Sequence, residues 1–323
     1  MSDTQAALTG TDHGGGIDAV ITKYGGRRED WLDLSTGINP NPYPFSQPKG
    51  FAWSSLPDAT ALHRAELAAR TAWNIPDDAA LLLTPGLSVA IAQLPYILAG
   101  DTVTIPDFTY NEFRNAFVGA GWTLKDGGHV RIALNPNNPT GDWVREKDVV
   151  DQGTLVIDES FADEDPKRSL MHLSTRANTL ILRGLGKFWG LAGLRFGAVI
   201  GDPNLITQLK LRLGPWAVSG PALSVAAEAL ADPHWISATR KQLKKVAGEL
   251  DDAFDVFQTA PPKGTWLFRL YSVNDAHSLF EHLAKSRILT RVFPSRDHDI
   301  RFGMPKNDGE LARIKLALDA FRL

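Results

Sequence analysis

Cysteine is absent from all 323 residues. Disulfide bonds and thiolate metal sites are therefore excluded, we predict no metal site, and the absence fits a reducing compartment. A long apolar run is also missing, because residues 79–100 are interrupted by Pro85, Gly86, Gln93 and Pro95. The first ten residues are polar and resemble no signal peptide. We expect a soluble, cytoplasmic protein that does not bind membranes.

An excess of charge of one sign is lacking as well. The net charge is −3 and no long basic run occurs, so nothing favours nucleic-acid binding. There is no internal repeat and no low-complexity segment. The hydrophobic share of 43% and the charged share of 22% are typical of globular proteins, and this length predicts a large core and two domains.

From about residue 60, helical patterns alternate with short apolar strands. Such alternation predicts a mainly parallel sheet covered by helices on both faces. The predicted strands are 80–84, 102–105, 130–134, 155–157, 179–182 and 198–200.

The pattern changes after Asp202, where a smaller α+β region is predicted. Its predicted helices are 223–230, 234–258, 276–286 and 308–321, and its predicted strands are 266–270, 288–293 and 300–302. The Gly-, Pro- and Asn-rich N-terminal segment, with one helix at 17–24, is expected to join this region. The predicted domains are residues 50–205 for the large one, and 1–49 with 206–323 for the small one.

Polar features follow several predicted strands, where ligands bind in open α/β sheets. They are the segments 86–88 (Gly-Leu-Ser), 135–141 (Asn-Pro-Asn-Asn-Pro-Thr-Gly), 158–160 (Asp-Glu-Ser) and 184–187 (Gly-Leu-Gly-Lys). The first begins a helix and offers free N–H groups suited to a phosphate. Taken singly, each has an ordinary explanation as a turn, a surface carboxylate or a solvated lysine.

Together these segments resemble the fold-type I pyridoxal-phosphate (PLP) enzymes, the aspartate aminotransferase superfamily. The most specific parts are 135–141, Val-Ile-Asp-Glu-Ser-Phe at 156–161 and Gly-Lys-Phe-Trp-Gly-Leu-Ala-Gly-Leu-Arg-Phe-Gly at 186–197. The resemblance covers nearly the whole chain. It implies an α/β fold, with a mainly parallel seven-stranded sheet in the large domain and a smaller α+β domain. It also implies PLP as cofactor and a homodimer.

The resemblance assigns roles that fit PLP chemistry. PLP is an electron sink that works best with a protonated ring nitrogen, and a carboxylate beside that nitrogen raises its pKa. Asp158 matches that carboxylate, and Asn138 matches the asparagine bonded to the ring 3-oxygen. Lys187 matches the Schiff-base lysine, later freed as a general base or acid. Arg195 matches the arginine that holds the cofactor phosphate.

Further cofactor contacts are expected around the ring and the phosphate. Gly86, Leu87 and Ser88 are expected to contact the phosphate. Phe113 is the first candidate for stacking on the ring, and Tyr110 is the second. For both aromatic residues, a place in the hydrophobic core is the alternative.

Three positions depart from the aminotransferase pattern. Phe161 stands where many relatives have a tyrosine bonded to the 3-oxygen. Gly184 replaces a phosphate-binding serine, and Leu56 replaces a tyrosine that reaches the phosphate across the dimer. We therefore expect Ser88 and Arg195 to bind more of the phosphate than usual, and the affinity for the cofactor to be lower.

The N-terminal segment resembles one branch, the threonine-phosphate decarboxylases of cobalamin biosynthesis. The resemblance rests on His-Gly-Gly at 13–15, Trp-Leu-Asp-Leu-Ser-Thr-Gly-Ile-Asn-Pro at 31–40 and the segment around Lys187. The short chain and Phe161 are compatible with it. This branch implies conversion of O-phospho-L-threonine to (R)-1-aminopropan-2-yl phosphate.

The substrate contacts of this branch fall on His13, Gly14, Gly37, Asn138, Arg291 and Arg301. By resemblance, His13 and Gly14 contact the substrate phosphate, Arg291 binds the dianionic substrate, and Arg301 serves the α-carboxylate region. Gly37 stands where the family has an asparagine. A helix cap for His13 and a surface ion pair for Arg291 are the alternatives.

Two other functions stay open. One is an aminotransferase for a phosphorylated amine such as histidinol phosphate, although the His-Gly-Gly segment and Phe161 weigh against it. The other is a non-catalytic PLP-fold binding protein, which the intact Lys187, Asp158, Asn138 and Arg195 oppose.

Overall fold

The computed structural model describes residues 14–149 and 153–321. It divides into two compact units. The larger unit comprises Pro42–Asn138 and Asp142–Ala238, and the smaller unit comprises the other described residues. The predicted domain boundaries at 49/50 and 205/206 differ from the bounds of these units. The predicted division into domains stays a prediction.

The helices are, in chain order, α1 (Ile17–Tyr24), α2 (Gly50–Ser54), α3 (Ala59–Trp73), α4 (Leu87–Gln93), α5 (Glu112–Gly119), α6 (Pro203–Leu213), α7 (Gly220–Leu230), α8 (Pro233–Phe254), α9 (Ala276–Lys285) and α10 (Asp308–Phe321). The strands are β1 (Leu32–Asp33), β2 (Ala80–Thr84), β3 (Thr102–Thr104), β4 (Thr123–Leu124), β5 (Val130–Leu134), β6 (Thr154–Asp158), β7 (Thr179–Gly184), β8 (Gly197–Gly201), β9 (Lys263–Thr265), β10 (Phe268–Ser272), β11 (Ile288–Leu289), β12 (Arg291–Phe293) and β13 (Arg296–Gly303).

The larger unit contains a seven-stranded sheet in the order β2-β8-β7-β6-β5-β3-β4. All neighbouring strands are parallel except β8, which is antiparallel to both β2 and β7. β2 therefore runs in the same direction as β5, β6 and β7. The carboxyl ends of these four strands lie at one edge of the sheet, which is the edge where ligands bind in this class of fold.

The core of the larger unit forms where the apolar strands meet the helices. β5 to β8 are almost entirely buried, as expected for strands covered on both faces. Phe113 and Phe117, four residues apart on one face of α5, are fully buried in the same cluster as Val156 and Leu180. This packing holds the strand ends, and the loops that follow them, in fixed positions.

The smaller unit has a four-stranded antiparallel sheet in the order β12-β13-β10-β9, and β1 pairs in parallel with β11. The ring of Phe254 stacks on Tyr271 at 3.9 Å between centroids and meets the edge of Phe302 at 4.7 Å. These aromatic contacts anchor α8 to the sheet.

The mainly parallel α/β fold is confirmed. The predicted bounds of β2 and β5 match those observed, whereas the helix predicted at 234–258 ends at Phe254. The single strand predicted at 288–293 is wrong, because the run breaks at Thr290 into β11 and β12, which belong to different sheets. Within the described residues, no helix combines the length and apolarity needed to cross a membrane.

Candidate active site

A cavity of about 220 Å³ lies in the larger unit at the carboxyl edge of the sheet. Residues of all four polar segments line it, because these segments lie at or just after the carboxyl ends of β2, β5, β6 and β7. Predicted cofactor contacts in its wall are Gly86, Leu87, Ser88, Tyr110, Asn138, Asp158, Lys187 and Arg195. The structure thus brings all but one of them together.

Asp158 is the last residue of β6, and only 5% of its surface is exposed. Its Oδ1 accepts hydrogen bonds from the backbone N–H of Ser160, at 2.8 Å, and from the Ser160 hydroxyl. Burial raises the pKa of Asp158 above its usual range, while the Ser160 bonds and the charge of Lys187 act in the opposite direction. A cation beside this carboxylate would be stabilised, since it would compensate for the lost hydration.

Lys187 follows β7 and is half-buried in the cavity wall. Its Nζ lies 5.5 Å from the centre of the Phe161 ring, within cation–π distance. Phe161 therefore presents an apolar ring face to this amine.

Gly86 and Arg195 form a positively charged part of the cavity wall, in contrast to the Asp158 carboxylate. Gly86 has φ +83° and ψ 162°, a conformation that is nearly restricted to glycine. A Cβ there would lie 2.6 Å from Nη2 of Arg195, so the guanidinium packs directly against the Gly86 backbone. Nη1 of Arg195 donates to the carbonyl of Ala192 at 3.1 Å, which helps to orient the group. Ser88 also lines this part of the cavity.

The Phe196 carbonyl and the Leu87 side chain lie close to Gly184. A Cβ on Gly184 would lie 3.3 Å from the carbonyl oxygen of Phe196 and 3.5 Å from the Leu87 side chain. Leu87 also packs against Gly197, where a Cβ would come within 2.8 Å of it. Leu87 therefore packs against both glycines, and a side chain at 184 would lie in contact with it and close to the Phe196 carbonyl.

The two candidate stacking residues are separated by the structure. Phe113 lies in the hydrophobic core, as its alternative assignment has it, and is not among the residues that line the cavity. Tyr110 lines the cavity, and its hydroxyl forms a hydrogen bond with Ser88. Burial raises the pKa of Tyr110 to about 12, so the phenol is protonated at neutral pH.

The loop that carries Asn138 is held by its neighbours. The Asn137 side chain donates to the Phe108 carbonyl at 3.0 Å and accepts from Thr109 Oγ1 at 2.6 Å. The backbone N–H of Asn137 donates to the carbonyl of Asp142 at 2.8 Å. Asn138 follows this anchored residue directly and is therefore fixed in the cavity wall.

A buried polar network joins the ends of three strands behind the cavity. Glu159 accepts hydrogen bonds from Asn135 Nδ2 and Arg183 Nη1, each at 3.0 Å. Asn135 follows β5, Glu159 follows β6, and Arg183 belongs to β7. Because all three side chains are almost fully buried, the network constrains the strand ends from which Asn138, Asp158 and Lys187 extend.

In the smaller unit, two predicted substrate residues lie side by side. Arg291 of β12 and Arg301 of β13 are direct cross-strand partners. Arg301 is only 3% exposed, and burial together with the charge of Arg291 lowers its pKa to about 9. An anion bound to this pair would stabilise both guanidinium charges, and arginine is the preferred side chain for carboxylate and phosphate.

The remaining predicted substrate residues belong to the N-terminal segment. His13 lies outside the described residues. Gly14 packs against Ser35, where a Cβ on Gly14 would lie within 2.2 Å of the carbonyl oxygen, and Gly37 is buried. Both glycines belong to the smaller unit, as do Arg291 and Arg301.

The cavity in the larger unit fits PLP. The buried Asp158 carboxylate suits a protonated ring nitrogen, Lys187 supplies an amine, and Arg195 with Ser88 and the Gly86 turn suits a phosphate dianion. Thus the wall combines a site for a cation with a site for an anion. A ligand with both charges is complementary to it.

Two site features were missed from the sequence. Ser160 binds Asp158, and a serine two residues after an aspartate is a recognisable local turn signal. Ser35 accepts from Gly15 and bonds Asp33 two residues earlier, which is the same signal. Its further contact with Arg301 is long-range and leaves no local pattern.

Residues 129–314 match the family model described as aminotransferase class I and II. A threonine-phosphate decarboxylase from Sinorhizobium sp. is 36% identical over 96% of this chain and 98% of its own. A threonine-phosphate decarboxylase from Pseudomonas aeruginosa is 32% identical, also over 96% of this chain and 98% of its own. An adenosylcobalamin biosynthesis bifunctional protein from Leptospira interrogans is 26% identical over 72% of this chain and 31% of that protein.

Solved structures share the fold. The histidinol-phosphate aminotransferase from Clostridium acetobutylicum has a TM-score of 0.77 at 21% identity, over 90% of this chain and 98% of that one. The histidinol-phosphate aminotransferase from Sinorhizobium meliloti, in complex with pyridoxal-5'-phosphate, has a TM-score of 0.76 at 16% identity, over 99% of this chain and 98% of that one. The L-threonine-O-3-phosphate decarboxylase from Porphyromonas gingivalis has a TM-score of 0.70 at 15% identity, over 90% of this chain and 99% of that one. The fold and the family predicted from the sequence are therefore confirmed, and the chain belongs to the class I and II aminotransferase family.

Proposed function

We propose that the chain is a PLP-dependent enzyme of cobalamin biosynthesis that decarboxylates O-phospho-L-threonine to (R)-1-aminopropan-2-yl phosphate. Two relatives above 30% identity, both matched over almost their entire length, carry the name threonine-phosphate decarboxylase. The observation that carries the proposal in the structure is the cross-strand pair Arg291 and Arg301, because this substrate bears two anionic groups.

The cofactor would be held by the cavity in the larger unit. Lys187 is the amine to which it would attach, and Asp158 would pair with its ring nitrogen. Asn138 would donate to the ring oxygen, and Arg195 would bind the phosphate. Tyr110 replaces Phe113 as our candidate for stacking, since it lines the cavity.

When bound, PLP supplies the electron sink that accepts the electron pair left by the broken Cα bond. The orientation in which the protein holds the substrate would select between loss of carbon dioxide and loss of a proton. Arg291 and the N-terminal Gly14 would bind the phosphate. Arg301 would bind near the carboxylate. Binding energy from the remote phosphate is thereby used for orientation.

Product analysis tests this proposal. The purified, PLP-loaded protein should release carbon dioxide from O-phospho-L-threonine, and much more slowly from L-threonine. Arg291→Ala should lose most activity on the phosphorylated substrate with little change in the visible spectrum. Arg296→Ala is the matched control, because this exposed arginine on the neighbouring strand is paired with Asp299.

The opposite result would identify a different enzyme. Formation of a keto acid and the pyridoxamine form of the cofactor, without carbon dioxide, would move this protein to the aminotransferases. The lysine, the aspartate and the asparagine are common to both reactions and do not discriminate between them. Activity equal on threonine and O-phospho-L-threonine would contradict the role of the arginine pair.

We also propose a cytoplasmic homodimer. Three large apolar side chains of the larger unit, Phe51, Trp53 and Leu56, are each about two-thirds exposed, and an isologous contact would cover them. Light scattering at micromolar concentration should give twice the chain mass of 35.3 kDa. A fully active monomer would refute this assembly.

A further inference from the structure

Ser35 is a buried polar residue of the N-terminal segment, and only 2% of it is exposed. Its hydroxyl accepts a hydrogen bond from the backbone N–H of Gly15 at 2.7 Å and donates to Asp33 Oδ1 at 2.6 Å. The backbone N–H of Ser35 donates to the same carboxylate oxygen at 2.9 Å. Gly15, Ser35 and Asp33 thus form one chain of hydrogen bonds that ends on a charged acceptor, which strengthens it.

The carbonyl group of Ser35 makes the second set of contacts. It accepts from Nη2 of Arg301 at 2.5 Å. The Gly14 backbone packs against the same oxygen so closely that no side chain would fit. On the other side, Gly303 approaches the Thr36 carbonyl, and its N–H donates to the Leu34 carbonyl at 2.6 Å. The segment around Ser35 is therefore held between the start of the described chain and the end of β13.

We infer that Ser35 is a positioning residue for substrate binding, which holds the Gly14–Gly15 backbone and the Arg301 guanidinium in one fixed arrangement. This inference rests on the proposed function, since it assigns the substrate's anions to Gly14 and the arginine pair. Ser35 itself acts through these neighbours. One donor group of Arg301 is committed to the Ser35 carbonyl, which fixes the plane of the guanidinium and so the direction of its other donors.

Removal of the Ser35 hydroxyl should weaken the hold on the Gly14–Gly15 backbone and leave the contact with Arg301 in place. In Ser35→Ala the Gly15 N–H loses its acceptor and Asp33 loses a donor, while the Ser35 carbonyl remains for Arg301. A charge-assisted bond of this kind typically changes an equilibrium about tenfold or more. The affinity for O-phospho-L-threonine should fall by about that factor. PLP binding, which belongs to the larger unit, should not change.

The experiment titrates the PLP-loaded protein with O-phospho-L-threonine, follows the visible spectrum and then measures KM and kcat. Ser35→Ala should raise the dissociation constant and KM about tenfold, with kcat within about threefold of wild type. Ser278→Ala is the matched control, since Ser278 donates to Asp275 through both its N–H and its hydroxyl in the same unit. It should behave as wild type. Asp33→Asn keeps the side-chain shape and should weaken binding in the same direction.

The outcomes separate this inference from the proposed function. A wild-type protein that binds O-phospho-L-threonine but releases no carbon dioxide refutes the decarboxylase, and the dissociation constant of Ser35→Ala still decides the role of Ser35. A decarboxylase in which Ser35→Ala and Asp33→Asn bind the substrate like wild type overturns the inference alone. A loss of thermal stability with unchanged substrate affinity overturns it too, because that result assigns Ser35 to folding only. If Ser35→Ala does not fold, Asp33→Asn decides by the same criterion.

Discussion

Gly86→Ala should weaken cofactor binding through Arg195. The backbone at Gly86 has φ +83° and ψ 162°, where an alanine costs about 1–3 kcal/mol. In addition, the new Cβ would lie 2.6 Å from Nη2 and 3.0 Å from Cζ of Arg195. Since the backbone cannot give way easily, the guanidinium must move. If it leaves the phosphate, a charge-assisted hydrogen bond of about 1.5–3 kcal/mol is lost, and the dissociation constant of PLP rises tenfold to a hundredfold.

Titration of the apo-protein with PLP, followed by absorbance, measures this effect, and urea unfolding of the apo-protein measures the backbone cost separately. Gly121→Ala is the matched control. Gly121 has φ +87°, yet within the described part of the chain a Cβ there would meet no heavy atom closer than 4 Å. It should lose stability and keep its PLP affinity. Wild-type PLP affinity in a folded Gly86→Ala would refute the packing argument.

Two other predictions concern the cavity. Lys187→Ala should retain no PLP after borohydride treatment and denaturation. The wild type should retain one PLP per chain, as measured by mass spectrometry. A covalent PLP adduct in the variant would place the linkage at another residue. Because burial raises the pKa of Asp158, its ionised form destabilises the folded apo-protein above that pKa, and the cost disappears as the pH falls below the ordinary value. Asp158→Asn should therefore stabilise the apo-protein against urea at pH 8 but not at pH 4, and should weaken PLP binding. Equal stabilisation at both pH values would show that the charge is not the cause.

Local patterns were sufficient to predict most of the larger unit. β2 and β5 to β8 are short apolar runs between turn signals. They lie in one sheet of the larger unit, so the strand preference of the local sequence agrees with the tertiary structure. The residues at the carboxyl ends of β2, β5, β6 and β7 meet in one cavity because these four strands run in the same direction. This explains why Asp158, Lys187 and Asn138 could be placed together from sequence.

Long-range pairing accounts for the failures. The apolar run at 288–293 divides at Thr290, because its first half pairs with β1 and its second half with β13. Nothing within the run specifies these partners. Phe113 is a different case, since its spacing of four from Phe117 already indicated a buried helix face. The family motif suggested the cavity, but the helical periodicity was the stronger signal.

The position of β8 affects how the enzyme forms as it leaves the ribosome. β8 lies between β2 and β7, and Thr84 pairs with Gly197, far along the chain. The nascent chain therefore carries β2 and the Gly86 turn long before their partner strand has been made. Non-local pairing of this kind is slow and leaves strand edges exposed during synthesis. Lys187 and Arg195 are also synthesised long after β2, so cofactor binding cannot guide the early stages of folding.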